Sequence, residues 1–473
     1  MGIFKKRDII GIAHELGILV SFIGILMSIP TVVGWYYGEP TWYFLYPSFL
    51  VTLTGILIYK FTKPVDIKLK HAMVISALAW LLASLIGAIP FYLGISYFSY
   101  LDGVFESMSA WTTTGFTLIK NVETLPHTLQ FWRSLEQWIG GIGVLVMVIS
   151  ILSKTGISTY YRAEAREEKI LPSTINTAKK IWQIYILYTL IGISLLYLTG
   201  LPIWDAINLC MCGISTGGMS IKNSSFPYNT LAKVVMIFIM MVGGIISFAV
   251  HHKVLTGKWI DDIQSKVGIS IVLITSLIVM FSSGVDFIDA LFTVTSAITS
   301  TGYSTVNIPN LNNLSLFIII LLMMVGGSTG TTTGGIKLIR VIVILKSFYY
   351  HLQRALLPSN VVICKRIGKY PLSQDLVVDA SVIGFTYLIH YGIATMVLIY
   401  LGYPPFKSLF EGVSLVANMG LSVNIVDHSM NPLGKIVGIF MMWAGRLEFI
   451  PVYVLILYLI RKIKSYLINR IYL

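Results

Sequence analysis

The sequence predicts an all-α integral membrane protein with about ten spans. Hydrophobic residues make up 56% of its 473 residues and charged residues only 12%, whereas an average soluble domain is about 25% charged. Because so few ionisable groups cannot cover a soluble protein of this size, most of the chain must face lipid. This composition excludes a soluble enzyme, a disordered scaffold and a disulfide-stabilised secreted protein, for which three scattered cysteines are too few.

Ten apolar segments are long enough to cross roughly 30 Å of hydrocarbon, which takes about 20 helical residues. They cover residues 9–33, 43–61, 72–93, 131–152, 181–201, 231–254, 267–283, 314–345, 376–401 and 433–460. With the N-terminus inside, the cytoplasmic connections hold 25 of the 34 Lys and Arg residues and the outer connections hold six. This bias predicts a multi-pass protein of the cell membrane with both termini in the cytoplasm. The basic residues form short clusters rather than one continuous stripe, so the net charge of +13 does not indicate nucleic acid.

Four short apolar segments on the outer side end in a small, polar stretch with a glycine. They are residues 105–115, 207–217, 292–302 and 410–420. In each, a large apolar residue stands ten positions before the final glycine. Asp102 and Asp289 lie 13 positions before their glycines, whereas Asp205 lies 12 positions before its own. These matches indicate one unit of span, re-entrant half-helix, loop and span, repeated four times.

The repeat divides the chain into an N-terminal two-helix extension and four pore repeats. The predicted bounds are 1–69 for the extension and 70–155, 156–260, 261–370 and 371–473 for the repeats. Non-helical backbone at membrane depth is stable only where it is buried in protein or lines a water-filled cavity. Four glycine-containing turns on one axis could replace the hydration shell of a monovalent cation with backbone carbonyls. The sequence thus predicts four helix–pore half-helix–helix units around a central pore.

The stretches 114–117, 215–218, 300–303 and 418–420 resemble the four selectivity-filter signatures of the Trk/Ktr/HKT superfamily of potassium transporters. Two extra N-terminal helices make the chain similar to the TrkH branch rather than to the eight-span KtrB branch. The resemblance covers essentially the whole chain. It implies potassium uptake without enzymatic activity, and no cofactor in this chain beyond the transported potassium ion.

By the same resemblance, each repeat contributes one strand to the filter, with a glycine at its centre. The implied central glycines are Gly115, Gly217, Gly302 and Gly420. The implied potassium-binding residues are these glycines together with Thr113, Thr114, Ser215, Thr216, Ser300, Thr301, Asn418 and Met419. In plant relatives a serine at the first glycine position accompanies a preference for sodium, so Gly115 favours potassium.

The eighth span is interrupted by a stretch that is unsuited to a lipid-facing helix. Its 32 residues would form a helix about 48 Å long, which exceeds the bilayer. A phosphate-binding loop is excluded, because no strand precedes the stretch and its glycines are followed by Ile336 and Lys337 rather than by Lys-Ser or Lys-Thr. The resemblance implies an intramembrane gating loop here, directly below the filter. The implied gate residues are Gly326, Gly327, Ser328, Thr329, Gly330, Thr331, Thr332, Thr333, Gly334 and Gly335, with Lys337 and Arg446.

Arg446 lies inside the last apolar span, where a charge is costly and normally faces water or a partner. The resemblance implies an arginine close to the gating loop. At about 7 Å and an effective dielectric constant of about 20, its charge would oppose a passing cation by roughly 2 kcal/mol. We expect Arg446 to hold the loop and to add an electrostatic barrier. Lys337 and Arg340 either act in the same way or extend toward the cytoplasm.

Four carboxylates near the half-helices allow two interpretations. They could form a cation-attracting outer vestibule, or they could cap the N-termini of the half-helices. Capping is favoured for the aspartates. The four residues are Asp102, Glu106, Asp289 and Glu411.

The resemblance also implies partners. TrkH-type proteins are homodimers that bind a cytosolic RCK-domain regulatory subunit (TrkA-like), which supplies the nucleotide-binding site. The basic segments 154–180 and 346–369 are candidate docking surfaces, although anionic membrane lipid explains their charge equally well. The leading hypothesis is potassium uptake through a gated filter, regulated by that subunit. The alternatives are a sodium- or proton-coupled potassium symporter, a sodium-permeable relative, and a membrane enzyme, for which no catalytic set is found.

Overall fold

The structure is a computed structural model that describes residues 6–143, 174–257, 262–358, 361, 363–368 and 370–471. The regular secondary structure of these residues is almost entirely helical, which confirms the all-α membrane fold. The described strands are β1 (Arg366–Ile367) and β2 (Tyr370–Pro371), which pair antiparallel in a short ribbon. Six single helices are long and apolar enough to cross a membrane, and up to eight spans result if each of two bent helix pairs is counted as one.

The N-terminal extension is a helical hairpin with a short helix at its turn. It consists of α1 (Lys6–Met27), α2 (Ile29–Tyr37) and α3 (Trp42–Phe61). The backbones of α1 and α3 approach so closely that a Cβ on Gly55 would lie 2.3 Å from the backbone nitrogen of Ser21. Small residues allow this contact between membrane helices, where packing rather than the hydrophobic effect drives association.

Four units with the same order of elements follow. The first contains α4 (Leu69–Gly94), α5 (Tyr100–Trp111) and α6 (His127–Ile142). The second contains α7 (Thr174–Leu198), α8 (Ile203–Ile214), α9 (Thr230–Gly244) and α10 (Phe248–Leu255). The third contains α11 (Ile263–Ser283), α12 (Phe287–Ile298), a 3₁₀ turn (Ile308–Asn310), α13 (Asn313–Val325) and α14 (Leu338–Leu356). The fourth contains α15 (Gln374–Tyr400), α16 (Pro405–Val416), α17 (Pro432–Arg446) and α18 (Ile450–Ile471).

The second helix of each unit is short and buried. Helices α5, α8, α12 and α16 have 12 residues each, or about 18 Å at 1.5 Å per residue, too short to cross a bilayer. By contrast, α3, α7, α11 and α15 carry large exposed apolar side chains such as Phe49, Leu190, Phe281 and Phe385. The half-helices therefore lie at the centre, and longer helices surround them.

Helix breaks are more frequent than the sequence predicted. The expectation of a single break in the eighth span, between α13 and α14, holds, but two more segments treated as continuous spans are also broken. Helices α9 and α10 meet at 104°, and α17 and α18 meet at 116°. Apolar residues continue on both sides of each bend, so hydropathy does not reveal it. In the first unit α6 ends at Ile142, and residues 144–152 of the span predicted at 131–152 lie outside the described residues.

Candidate ion pathway

The chain leaves each half-helix through the same unusual backbone turn. A residue other than glycine has a left-handed φ of 52–55° in each unit, namely Thr113, Thr216, Ser300 and Asn418. Two positions later comes a glycine with a positive φ between 68° and 95°. These ring glycines are Gly115, Gly218, Gly302 and Gly420. Since left-handed backbone is strained for ordinary residues, its fourfold recurrence marks a constrained site.

The turns correct the predicted alignment of the second repeat. The residue before each ring glycine donates its backbone N–H to the carbonyl five positions earlier, at 2.8–3.0 Å. The four pairs are Thr114–Ser109, Gly217–Cys212, Thr301–Ser296 and Met419–Ser414. Gly217 thus corresponds to Thr114, and Gly218 is the true counterpart of Gly115. The sequence-based alignment, which made Gly217 central and included Ser215, was one residue early.

The spacing of aspartates could have shown the correct alignment. Asp205 lies 13 positions before Gly218, as Asp102 and Asp289 do before their own glycines. Two consecutive glycines made the pattern ambiguous. The first of them leaves room for the side chain of Gln137, because a Cβ on Gly217 would lie 2.5 Å from the amide carbon of that side chain.

Each of the four ring glycines lies against a backbone carbonyl of the next repeat, and together these contacts form a closed circle. A Cβ built on Gly115 would lie 2.2 Å from the carbonyl oxygen of Gly217 in the next repeat. The other three glycines repeat this contact at 1.9–2.3 Å, and the last closes the circle on the first repeat. Those pairs are Gly218 with Thr301, Gly302 with Met419 and Gly420 with Thr114. Since real Cβ atoms do not approach oxygen this closely, glycine is required at all four positions.

A cavity of about 630 Å³ lies on one side of the ring and is lined by all four ring glycines. Lys120, Lys222 and Arg133 also line it, whereas its described lining contains no Asp or Glu.

The four carboxylates near the half-helices bind other protein groups rather than line this cavity. Glu106 accepts hydrogen bonds from the Thr117 hydroxyl, the Leu118 N–H and the Arg133 guanidinium at 2.8–3.1 Å. Glu411 holds the corresponding strand of the fourth repeat through the Ser422 hydroxyl and the N–H groups of Val423 and Val426. Asp102 takes part in the N-terminal cap of α5 with Ser99, as expected. Asp289 instead pairs with Lys233 at 2.5 Å.

Residues 326–335, the intramembrane loop, lie against the other side of the ring strands. The Ser328 N–H and hydroxyl donate to the carbonyls of Gly244 and Ile245, at the break between α9 and α10, at 3.0 and 2.6 Å. The Thr332 hydroxyl is 2.9 Å from the hydroxyl of Thr216. On the opposite side, a Cβ on Gly334 would lie 2.1 Å from the carbonyl oxygen of Ala417. The loop therefore touches the second and fourth repeats at once.

Arg446 is the last residue of α17 rather than a residue within a continuous span. Its guanidinium donates to the carbonyl of Thr332 in the loop at 2.7 Å and to those of Gly140 and Gly141 at 2.8 and 3.2 Å. The latter two belong to the last turn of α6, whose carbonyls have no partner within the helix. One side chain thus joins the loop to the first and fourth repeats.

Two further basic residues follow the loop and have different partners. Lys337 donates to the carbonyl of Thr333, and its Nζ is 3.0 Å from the Thr333 hydroxyl. Arg340 forms a bidentate ion pair with Glu448 at 2.7 and 2.8 Å. A small cavity of about 50 Å³ lies beside the loop, lined among others by Lys337, Arg446 and Glu448. Sequence reasoning assigned no role to Glu448, although its spacing of two residues from Arg446 was a visible signal.

Several known proteins are similar to this chain over nearly its whole length. A family model described as TrkH, cation transport protein, matches residues 46–274 and 259–464. The chain belongs to the TrkH family of cation transporters. An uncharacterized cation transporter of Methanocaldococcus jannaschii is 51% identical, over 96% of this chain and 97% of its own. The TrkH potassium uptake protein of Escherichia coli is 30% identical, over 94% and 97%.

A solved structure shares the fold of this TrkH family member. The crystal structure of the potassium transporter TrkH from Vibrio parahaemolyticus superimposes with a TM-score of 0.82, over 96% of this chain and 98% of that chain, at 23% identity. Its membership of the TrkH family makes the protein a multi-pass membrane cation transporter and not an enzyme, as the sequence predicted.

Proposed function

We propose that this protein takes up potassium across the cell membrane through the ring formed by Gly115, Gly218, Gly302 and Gly420 and the strands around them. The observation that carries the proposal is the closed circle of glycine–carbonyl contacts among all four repeats. Backbone carbonyls at such a ring replace the water around a monovalent cation. The half-helices end at the ring, and their C-terminal ends each add roughly half a negative charge, which favours cations over anions.

The gate in this proposal is the intramembrane loop. It occupies the space below the ring strands and is held by hydrogen bonds from several repeats, including that of Arg446. Its glycines and hydroxyl-bearing residues allow a second arrangement in which freed backbone groups find new partners. Ions pass when the loop leaves the axis.

Regulation by a cytosolic, nucleotide-binding RCK-domain subunit, acting on a homodimer, completes the proposal. Support comes from α14, which continues directly from the loop and exposes Lys346. A partner or an anionic lipid that moved this helix would move the loop. Most of the other docking segment, 154–180, lies outside the described residues. The excess of basic residues in one set of connections supports cytoplasmic termini.

Potassium and sodium flux into liposomes that contain the purified protein tests the proposed function. In Gly115→Ser the new Cβ meets the carbonyl of Gly217, so we expect loss of potassium preference. Gly200→Ser is the matched control, because both glycines have a φ of 95° but a Cβ on Gly200 meets nothing within 4 Å. Unchanged selectivity in a folded Gly115→Ser variant would overturn the ring as the selective element.

The same assay separates the alternatives. Flux that follows the potassium gradient alone supports uptake through a gated filter. A rate that depends on a second sodium or proton gradient indicates a coupled symporter, and equal sodium flux in the wild type indicates a sodium-permeable relative.

A further inference from the structure

A histidine and a tyrosine meet behind the break in the second repeat. His251, in α10, is 5% exposed. Its Nε2 lies 3.0 Å from the carbonyl oxygen of Val242, and its Nδ1 lies 3.1 Å from the hydroxyl of Tyr188 in α7. A carbonyl only accepts, so Nε2 carries the proton and, in the neutral imidazole, Nδ1 accepts from the tyrosine. One ring thus joins α7, the end of α9 and the start of α10.

The fourth repeat contains the same kind of pair. His390, in α15, is 3% exposed. Its Nδ1 donates to the carbonyl of Thr386 at 2.7 Å, and its Nε2 lies 2.6 Å from the hydroxyl of Tyr453 in α18. The ring also stacks on Phe449, which has a left-handed φ of 68° in the break between α17 and α18. This pair therefore joins α15 to the bent end of the fourth repeat.

The two pairs occupy equivalent positions with the residue types exchanged. Tyr188 and His390 each lie 30 positions before the ring glycine of their repeat, and His251 and Tyr453 each lie 33 positions after it. The position 30 residues before the ring glycine holds Leu85 in the first repeat and Val272 in the third. Neither side chain can form a hydrogen bond. The pair is thus a property of two opposite repeats, and either order of the residues satisfies the geometry.

Both pairs support the parts of the protein that hold the intramembrane loop. His251 binds the carbonyl of Val242, and the next three carbonyls, those of residues 243–245, accept hydrogen bonds from Ser328 and Thr332. In the fourth repeat, the break braced by His390 begins directly after Arg446, which binds the carbonyl of Thr332. The loop is therefore held from two opposite sides, and each side is braced by one pair.

We infer that His251, Tyr188, His390 and Tyr453 are positioning residues for the gate. The two hydrogen bonds fix the angle of the broken helices, and that angle presents the loop-binding carbonyls and the guanidinium of Arg446. Losing either bond frees one side of the loop and raises resting ion flux. The inference rests on the proposed function of the loop as the gate.

The test removes only the hydroxyl from each pair. Tyr188→Phe and Tyr453→Phe keep the rings, and we expect each to raise resting potassium flux into liposomes by roughly three- to tenfold, the effect of one hydrogen bond. Tyr391→Phe is the matched control. Tyr391 is buried next to His390, and its hydroxyl has no hydrogen-bond partner among the described residues. This control should behave as the wild type.

An exchange separates positioning from general loss of packing. Tyr188→His and His251→Tyr should each raise flux alone, whereas the double variant recreates the order found in the fourth repeat and should restore the wild-type rate. A double variant as leaky as the single ones would overturn the inference, as would Phe variants with wild-type flux.

A second readout does not depend on the transported ion. Hydrogen–deuterium exchange of residues 326–335 should rise in the Phe variants and return to the wild-type level in the double exchange. If the wild type carries no potassium flux, the proposed function fails, and loop exchange still decides the positioning role. Equal protection of the loop in all variants would overturn it.

Discussion

At the scale of single residues, Arg446 connects three parts of the candidate pathway: its own helix α17, the intramembrane loop and the end of α6. It ends α17, and a cation is favourable at that end because the helix dipole is negative there. Its guanidinium binds carbonyls from the loop and from the last turn of α6. The guanidinium also lies 5.4 Å from the ring centre of Trp80. A planar fork with five donors can serve all these groups, which a lysine cannot.

Replacement of Arg446 by alanine should therefore increase resting potassium flux by roughly tenfold, because both a tether of the loop and a fixed positive charge are lost. Arg446→Lys keeps the charge but not the fork, and should give an intermediate rate. The exposed Arg461→Ala serves as the control. Unchanged or lower flux in a monodisperse Arg446→Ala protein would contradict the assignment.

At the scale of elements, the connection between α2 and α3 caps a helix of another unit. Glu39 accepts hydrogen bonds from the N–H groups of His127 and Thr128, at the first turn of α6, at 2.7 and 3.0 Å. The imidazole Nδ1 of His127 is also 2.7 Å from the carboxylate. A cap usually comes from the residue just before the helix, where this chain has Pro126. The N-terminal extension thus supplies, through Glu39, the N-terminal cap that α6 lacks in its own unit.

This cap predicts a dependence of stability on pH. Burial acts to raise the pKa of Glu39, but the hydrogen bonds from Thr128 and His127 outweigh it and hold the pKa below its usual value of 4.5. The stabilisation is therefore present above pH 4.5 and is lost as the pH falls through the lower, folded value. Between pH 5 and pH 3.5, Tm of the detergent-solubilised wild type should fall more than that of Glu39→Gln.

Glu123→Gln is the control for this measurement, since Glu123 is an exposed carboxylate in the connection after α5. It should lose as much stability on acidification as the wild type. Parallel pH profiles for Glu39→Gln and the wild type would show that the cap contributes nothing.

At the scale of the whole molecule, two ion pairs join neighbouring repeats. Lys435 of the fourth repeat lies 2.6 Å from Asp102 of the first, and Lys233 of the second lies 2.5 Å from Asp289 of the third. Each lysine follows its ring glycine by 15 positions, and each aspartate precedes the next ring glycine by 13. The first repeat has Gln130 at the lysine position, and its side-chain amide oxygen Oε1 accepts from the indole N–H of Trp204 at 3.0 Å. The ring is thus assembled from two ion-paired halves.

Exchanging the charges tests this arrangement. Lys435→Asp alone places two carboxylates in a buried site and should cost about 3–5 kcal/mol, seen as a lower Tm in detergent. Adding Asp102→Lys should recover most of the loss. The pair of Lys222 and Asp205, which lies within one repeat at 3.7 Å, should show a much smaller effect in the same exchange. A double variant no more stable than the single one would argue against the pair.

Much of this protein follows from the amino-acid sequence by itself. Composition determines the membrane class, because the surface of a folded protein scales with its mass and the number of charges available to cover it is fixed by the sequence. Periodic spacing determines the four repeats, and a run of glycine and threonine determines the loop between α13 and α14. Each of these signals is read along the chain without knowing which distant residues touch.

The tertiary structure decided the properties that depend on contacts between distant residues. Packing decides between Gly217 and Gly218, which the sequence pattern left ambiguous, because Gln137, 80 residues from Gly217, occupies the space beside Gly217. The bends after Gly244 and Arg446 are invisible to hydropathy, since their stabilising partners lie in the loop and in other repeats. The sequence gives the chemistry of each side chain, but the fold determines which groups that side chain contacts.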